Sequence, residues 1–335
     1  MSIQQLDVRR DRLRLAGGSV EPLVPAEALT AALEHEEIEP LRPLLPVGYD
    51  AVARAYARAA LGITAADLTS HYTRGLEYFH DEFTPALKQR LVLLTGGAWR
   101  LDDFVGYAAG SDVDLMTHLI EAIAAREPVN LYPGDWFGFR VGSTHPQNIR
   151  WEPRAEDRLA CLCVPSVRNG HFTDEMSAFV AGASAVLLNL NLFPTLIATE
   201  RNEVARRLAP QLPRAILSIS FSRGFGMTAA QLGVFLIHRD HPWRCRFEQQ
   251  WNWFTYFYSS IAAKAFLEID LEELSAVDAA RREWVHDWLA ARGLPAVASG
   301  SYYVKAFRVE GEIPQRLLPL ERDGLVRLCL KPPQT

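Results

Sequence analysis

Short apolar runs occupy the middle of the chain, and turns or helical segments separate them. The runs are VNLYPGDWFGFRV, RLACLCVPS, ASAVLLNLNLF, RAILSISFS and QLGVFLIHR. Strands that alternate with helices predict a mainly parallel sheet covered on both faces. Ligands of open α/β sheets bind at the carboxyl ends of the strands, so we expect chemistry at the residues that end these runs. Those candidates are 135–136, 167–170, 189–192 and 220–223.

Helical patterns flank the runs. Residues 50–62 read as a short helix that begins at an Asp and ends at a Gly, and residues 270–293 as a longer amphipathic helix. Between them, Ser111 and Asp114 form an S-x-x-D capping box before apolar residues at helical spacing.

The later strand patterns, SGSYYVKAFRVEG and GLVRLCLKPP, predict a smaller α+β lobe. We therefore divide the chain into an N-terminal helical segment that contributes to the small lobe (1–65), a large α/β domain (66–250), and an interdomain helix with the C-terminal small lobe (251–335).

Composition narrows the function classes. The 335 residues are 49% hydrophobic and 22% charged, as in globular enzymes. The net charge of −5 does not indicate nucleic-acid binding, and the apolar runs are too short to span a bilayer. Four cysteines in apolar contexts, with no signal peptide, predict a cytoplasmic protein. His238 and His241 have H-x-x-H spacing but lack further ligands, so we expect no metal site.

Three motifs carry the candidate chemistry. The first is S-x-S-R-x-x-G, from Ser220 through Ser222 and Arg223 to Gly226. The second is Gly110-Ser111-Asp112, which opens a predicted helix whose backbone N–H groups could hold a phosphate. The third is Arg327 in the apolar strand GLVRLCL, where a cation is costly unless it is paired.

The order of these motifs resembles that of the fold type I pyridoxal-phosphate (PLP) enzymes, especially the class I/II aminotransferases, over about residues 70 to 330. The resemblance implies a homodimer, a large domain with a mainly parallel mixed sheet, and a smaller α+β lobe. It also implies that Gly110-Ser111-Asp112 is the phosphate-binding turn, that Trp136 stacks on the cofactor, and that Arg327 binds the substrate carboxylate.

Several positions depart from that family. Arg223 stands where the family has its Schiff-base lysine, and a guanidinium cannot form the imine. Asn189 stands where a carboxylate should face the pyridine nitrogen, with Leu192 at a tyrosine position. Gln231 replaces a phosphate-binding arginine. We therefore expect no covalently bound cofactor. Non-covalent PLP is compatible with the retained residues, although the lost acid and arginine weigh against it.

Each candidate also has a structural interpretation. Arg223 could pair with a ligand carboxylate or form a salt bridge that fills an empty pocket. Ser220 and Ser222 could bind an anion or simply permit a tight turn. Trp136 and Tyr132 could line a ligand pocket or pack in the core.

His80, in HYTRGLEYFHDEF, is a candidate acid or base. Three functional hypotheses follow from the whole pattern. In the first, the chain is a repurposed, PLP-independent enzyme or binder of an amino acid or related carboxylate in small-molecule biosynthesis, of which specialised biosynthesis is one form. Alternatively it is an inactive homologue that serves as a partner subunit or scaffold. In the third hypothesis it is an enzyme that holds PLP non-covalently.

Overall fold

The computed structural model describes residues 21–34, 48–62, 64–65, 77–135, 138–152, 158–227, 232–250 and 256–333. Two candidate residues, Trp136 and Gln231, lie outside the described residues. The strands are β1 Leu23–Val24, β2 Phe104–Ala109, β3 Val129–Leu131, β4 Ile149–Trp151, β5 Leu159–Cys163, β6 Ala185–Asn189, β7 Ala215–Ser220, β8 Gly233–His238, β9 Val304–Val309, β10 Glu321–Arg322 and β11 Leu325–Cys329.

The helices flank these strands, and a π-helix, Tyr78–Phe83, precedes the third of them. The α-helices are α1 Ala26–Ala32, α2 Asp50–Leu61, α3 Thr84–Leu94, α4 Asp112–Ala124, α5 Gly138–Val141, α6 Asp174–Ala181, α7 Ala198–Leu208, α8 Arg244–Gln250, α9 Tyr256–Glu268 and α10 Leu271–Ala290. Within the described ranges, no helix is long and apolar enough to cross a membrane.

The large sheet has seven strands in the order β2-β8-β7-β6-β5-β3-β4. Strands β3 to β7 pair in parallel, and β8 runs antiparallel to both β7 and β2. This confirms the predicted mainly parallel, mixed sheet. In β7, Ile216 packs into the core on one face and Leu217 into the core on the other, so helices cover both faces.

Helix α4 shows how the sequence sets one of these elements. Its N-cap is Ser111, whose Oγ accepts a hydrogen bond from the Asp114 N–H at 3.1 Å. Leu115, Leu119 and Ile123 then point into the core beneath the sheet. The predicted cap is therefore confirmed, and it holds the N-terminus of α4 at the edge of the sheet.

The second sheet has the order β1-β9-β11-β10, so the first described strand, β1, pairs with β9 of the C-terminal lobe. Strands β9 and β11 run antiparallel and pack with α10 in a separate core. Helix α2, in contrast, contributes to the core of the large sheet.

One local expectation was wrong, and one strand has no counterpart among the predicted elements. The run VNLYPGDWFGFRV is a strand only over Val129–Leu131, because Pro133 and Gly134, which has a φ of +80°, turn the chain, and α5 follows. Strand β2 was not predicted, since FVGYAA lacks an alternating pattern. A Cβ on Gly106 within β2 would lie 2.7 Å from the Thr84 Oγ1, so α3 packs closely on that glycine.

Candidate functional site

The carboxyl ends of three neighbouring parallel strands bring Cys163, Asn189 and Ser218 side by side. Cys163 of β5 pairs in register with Asn189 of β6, which pairs with Ser218 of β7. Strand β7 ends two residues later at Ser220, and Arg223 follows in the next loop. We call this region the carboxyl edge.

The loop after β7 is held by hydrogen bonds within the protein. Ser220 Oγ and Ser222 Oγ lie 2.8 Å apart. Asn191 Oδ1 accepts from the Ser222 hydroxyl at 3.3 Å and from the Arg223 N–H at 3.2 Å. A Cβ on Gly224 would lie 2.7 Å from the Pro194 ring, so the loop packs directly against the residues that follow β6. This packing fixes the backbone position of Arg223, from which its side chain extends.

Arg223 lies in a partly buried, charged environment. Burial lowers the pKa of its guanidinium, while the Cys163 thiol, the Asp112 carboxylate and the Cys329 thiol oppose that shift. The Arg327 guanidinium lowers the pKa of Arg223 further. A guanidinium nevertheless remains protonated in proteins. The edge therefore carries two guanidinium groups, Arg223 and Arg327, beside the Asp112 carboxylate.

Asp112 is the acid of this cluster. It is 5% exposed, and its Oδ2 has no hydrogen-bond partner among the described residues. Burial raises the pKa of Asp112. Hydrogen bonding from Ser220 and the charge of Arg223 lower it, but their effect is smaller. A Cβ on Gly233 would lie 1.9 Å from the Asp112 N, so the start of β8 presses on the first residue of α4. That close contact contributes to the burial of the carboxylate.

Arg327 lies in the middle of β11 and is 9% exposed. Its Nη1 donates to the Val167 carbonyl oxygen at 2.8 Å. No described carboxylate forms an ion pair with it. The nearby Arg322 has a pKa lowered to about 10, first by burial and then by the Arg327 charge. Most of the five N–H donors of Arg327 are thus available to an anion.

Asp135 is a second buried acid at the same edge. Its carboxylate accepts from the Cys163 N–H at 2.8 Å and from the Ser166 hydroxyl at 3.1 Å. Burial nevertheless raises the pKa of Asp135 to about 7. Asp135 is one of the strand-end residues that the sequence indicates. No sequence pattern shows that Cys163 and Cys329, which come from different lobes, both act on the pKa of Arg223.

The other predicted residues have different surroundings. Asn189 Oδ1 accepts from the Asn191 N–H at 3.0 Å and closes the end of β6. Tyr132 is buried in the core with its ring centroid 5.4 Å from that of Phe179, and burial raises its pKa to about 12. His80 is exposed on the π-helix, and its ring contacts Phe79 edge-on. The described contacts do not join His80 or Tyr132 to Arg223.

Comparison with known proteins gives a result at the level of the fold. No family model and no curated protein sequence matches the chain. Solved structures do match. Histidinol-phosphate aminotransferase from Sinorhizobium meliloti, in complex with pyridoxal-5'-phosphate, is 17% identical, with a TM-score of 0.57 over 99% of this chain and 94% of that one. The chain has the aminotransferase fold.

Two more solved structures agree. Aspartate aminotransferase from Thermotoga maritima is 15% identical, with a TM-score of 0.60 over 91% of this chain and 90% of that one. A putative PLP-dependent β-cystathionase from Corynebacterium diphtheriae is 14% identical, with a TM-score of 0.55 over 92% and 94%. At these sequence identities the similarity shows a shared fold, and a shared fold does not determine the chemistry of the site.

Covalent PLP chemistry needs a lysine amine. The described residues after β7, 221–227, contain the guanidinium of Arg223 and no lysine. The end of β6 offers the amide of Asn189, whose oxygen is already engaged by the backbone. Leu192 is buried in the core of the small lobe. Among the described residues, no group of three or more metal-ligating side chains offers an alternative centre.

Proposed function

We propose that this protein binds an amino acid or a related small carboxylate at the carboxyl edge and acts without covalently bound PLP, as a repurposed enzyme or binder. One observation carries the proposal. Two mutually repelling guanidinium groups, Arg223 and Arg327, share the edge with a buried carboxylate, Asp112, whose Oδ2 has no described partner. Buried charges are costly unless they are paired. Arg327 has no described ion pair and Asp112 Oδ2 has no described hydrogen bond, so these two groups favour a ligand that carries both signs.

The expected orientation follows from the donors and acceptors. Arg327 presents a fork of N–H groups that suits the two oxygens of a carboxylate. Arg223 adds a second positive charge from the loop after β7. Asp112 Oδ2 can accept a hydrogen bond from an ammonium group. An α-amino acid would then be held by its carboxylate on the β11 side and by its amine near the N-terminus of α4.

A second candidate function rests on a contact across the cleft. The Arg168 side chain bridges the loop after β5 and the small lobe, with its Nη2 3.2 Å from the Asp323 Oδ2 and 2.8 Å from the Asp323 carbonyl oxygen. Both side chains are largely buried. Such a bridge favours a closed site and therefore an inactive homologue that works as a partner subunit or scaffold. The homodimer that the resemblance implies is compatible with both functions.

The test is thermal unfolding of the purified protein with a panel of amino acids and small mono- and dicarboxylates. A ligand present at one hundred times its dissociation constant stabilises the folded state by about 2.7 kcal/mol. We expect at least one member of the panel to raise the melting temperature, and we expect Arg327→Ala to abolish that rise.

The matched control is Arg206→Ala, which removes an exposed arginine paired with Glu203. This variant should keep the full ligand effect. An equal rise in the Arg327→Ala protein would contradict the assignment of Arg327 as the carboxylate contact. A flat panel together with a stable complex with another protein would instead favour the scaffold.

A further inference from the structure

A lysine outside the carboxyl edge has unusual surroundings. Lys305 of β9 is 4% exposed. Its Nζ donates to the carbonyl oxygens of Val297 at 2.8 Å and Ser299 at 3.0 Å. No described ion pair joins it to a carboxylate. Since lysines are rarely buried without a charged partner, Lys305 differs from an ordinary structural lysine.

Lys305 lines a cavity between α10 and the segment before β9. The cavity has a volume of about 330 Å³. Val285 and Leu289 of α10, with Val297 and Ala298 opposite, give it a mainly apolar lining. This volume is at the low end of the range for small-molecule sites, so it suits a ligand of few atoms.

The charged groups around the amine favour its neutral form. Burial, followed by the charge of Arg282, lowers the pKa of Lys305 to about 7, and Glu200 opposes the shift. The Arg282 guanidinium is itself engaged by the carbonyl oxygens of Gly300 at 2.7 Å and Ala298 at 3.3 Å.

Other titratable groups lie close by. His171 has a pKa lowered to about 4, by burial and then by Lys305, so it is neutral at physiological pH. Glu283, His286 and Asp287 of α10 also line the cavity. None of these three carboxylate or imidazole groups is hydrogen-bonded to the Lys305 Nζ in the described contacts.

The two hydrogen bonds of Lys305 are within the capacity of a neutral amine as well as of an ammonium. A neutral amine has two N–H donors and one lone pair, whereas an ammonium has three donors and no lone pair. Two carbonyl oxygens take up two donors. In the neutral form the lone pair is then free to attack an electrophile that enters the cavity.

We propose that Lys305 is a covalent ligand site, at which a small, largely apolar aldehyde condenses with the amine inside this cavity. The Nζ lone pair attacks the carbonyl carbon, and proton transfer gives a carbinolamine. Loss of one water molecule then leaves the imine. No oxidant, reductant or cofactor is consumed. The inference is independent of the carboxylate site, because it uses neither Arg223 nor Arg327.

The experiment uses butanal as the probe and cyanoborohydride to reduce the imine to a stable amine, followed by peptide mass mapping. The chain has four lysines, Lys88, Lys264, Lys305 and Lys331, so each can be scored separately. Lys264 and Lys331 are exposed and serve as the internal comparison.

At neutral pH we expect labelling of Lys305 to exceed that of either exposed lysine by at least about tenfold, because a primary amine in water is almost entirely protonated at neutral pH. Labelling of Lys305 should rise with pH and level off above about pH 7. An exposed unperturbed amine should instead continue to gain about tenfold per pH unit.

Two variants complete the test. Lys305→Arg should lose the label, and Ala298→Phe, which fills the cavity while keeping the amine, should lose it at Lys305 only. The peptide map of the wild-type protein tests the proposal even if neither variant folds. Labelling that spares Lys305 while the exposed lysines react would overturn the proposal, as would full labelling of Lys305 in a folded Ala298→Phe protein.

Discussion

At the scale of single residues, Asp135 shows how burial and hydrogen bonding compete. The Cys163 N–H and the Ser166 hydroxyl donate to its carboxylate, and such bonds favour the charged form. Burial acts in the opposite direction and is the larger effect, so the pKa is raised to about 7. A raised pKa means that the folded protein binds a proton more tightly than the unfolded chain does.

The pH dependence of stability follows from that sign. The contribution of Asp135 is fully present below the unfolded pKa of about 3.9 and is lost as pH rises through about 7. We expect this group to lower the free energy of unfolding by at most about 4 kcal/mol over that window, at 1.36 kcal/mol per pKa unit.

Urea unfolding at a series of pH values measures the effect. Asp135→Asn should make the decline between about pH 4 and pH 7 shallower. Asp50→Asn, which changes an exposed carboxylate at the start of α2, should leave it as in the wild type. If the free energy of unfolding declined equally with pH in the wild type and in Asp135→Asn, the raised pKa of Asp135 would be contradicted.

At the scale of elements, the contact between β8 and α4 positions the acid of the candidate site. The backbone at Gly233 lies so close to Ser111 and Asp112 that a Cβ would fall 2.1 Å from the Ser111 carbonyl carbon and 1.9 Å from the Asp112 N. Both neighbours are backbone atoms, which cannot rotate away as a side chain can. The start of β8 and the cap of α4 must therefore move together.

Gly233→Ala should destabilise the protein by about 3 kcal/mol, the upper part of the usual range for overpacking. It should also abolish ligand binding at the edge, because α4 would have to move. Gly62→Ala is the matched control, since its Cβ would meet only ordinary contacts at 3.5 Å or more. It should change stability by less than about 1 kcal/mol. A similar loss of stability in both variants would contradict this prediction, because the close contact between Gly233 and the backbone of α4 would then add nothing to the effect of the substitution.

The elements also show what the sequence could and could not predict. Strands β5 to β8 were predictable because each is a continuous apolar run between turns. Strand β2 was not, since Gly106 interrupts an already short run. The site is a different problem. Motif order indicates Arg223 and Arg327 as candidates, and both stay predictions. That Cys163 and Cys329 both act on the pKa of Arg223 depends on how the two lobes pack, which no pattern within either strand encodes.

At the scale of the whole molecule, a hydrogen-bonded group joins the N-terminal segment to the C-terminal lobe. Tyr49 donates to Asp278 Oδ1 at 2.6 Å, and Tyr302 donates to the same oxygen at 2.5 Å. The Tyr49 ring also packs on Gly226, within the loop that carries Arg223. A change at this junction would therefore reach the carboxyl edge through packed side chains. The two lobes of the aminotransferase fold are therefore tied together at this junction.

The most direct measurement is the absorbance spectrum of purified protein with one equivalent of PLP, before and after borohydride, followed by peptide mapping. The Lys305→Arg variant is measured in parallel, because PLP is itself an aldehyde and could react at that lysine. We expect the variant to show no bound chromophore that borohydride fixes to the chain, because the proposed function uses no covalently bound PLP. A stoichiometric chromophore fixed to a remaining lysine of the variant would contradict that function, since a lysine other than Lys305 would then hold PLP covalently.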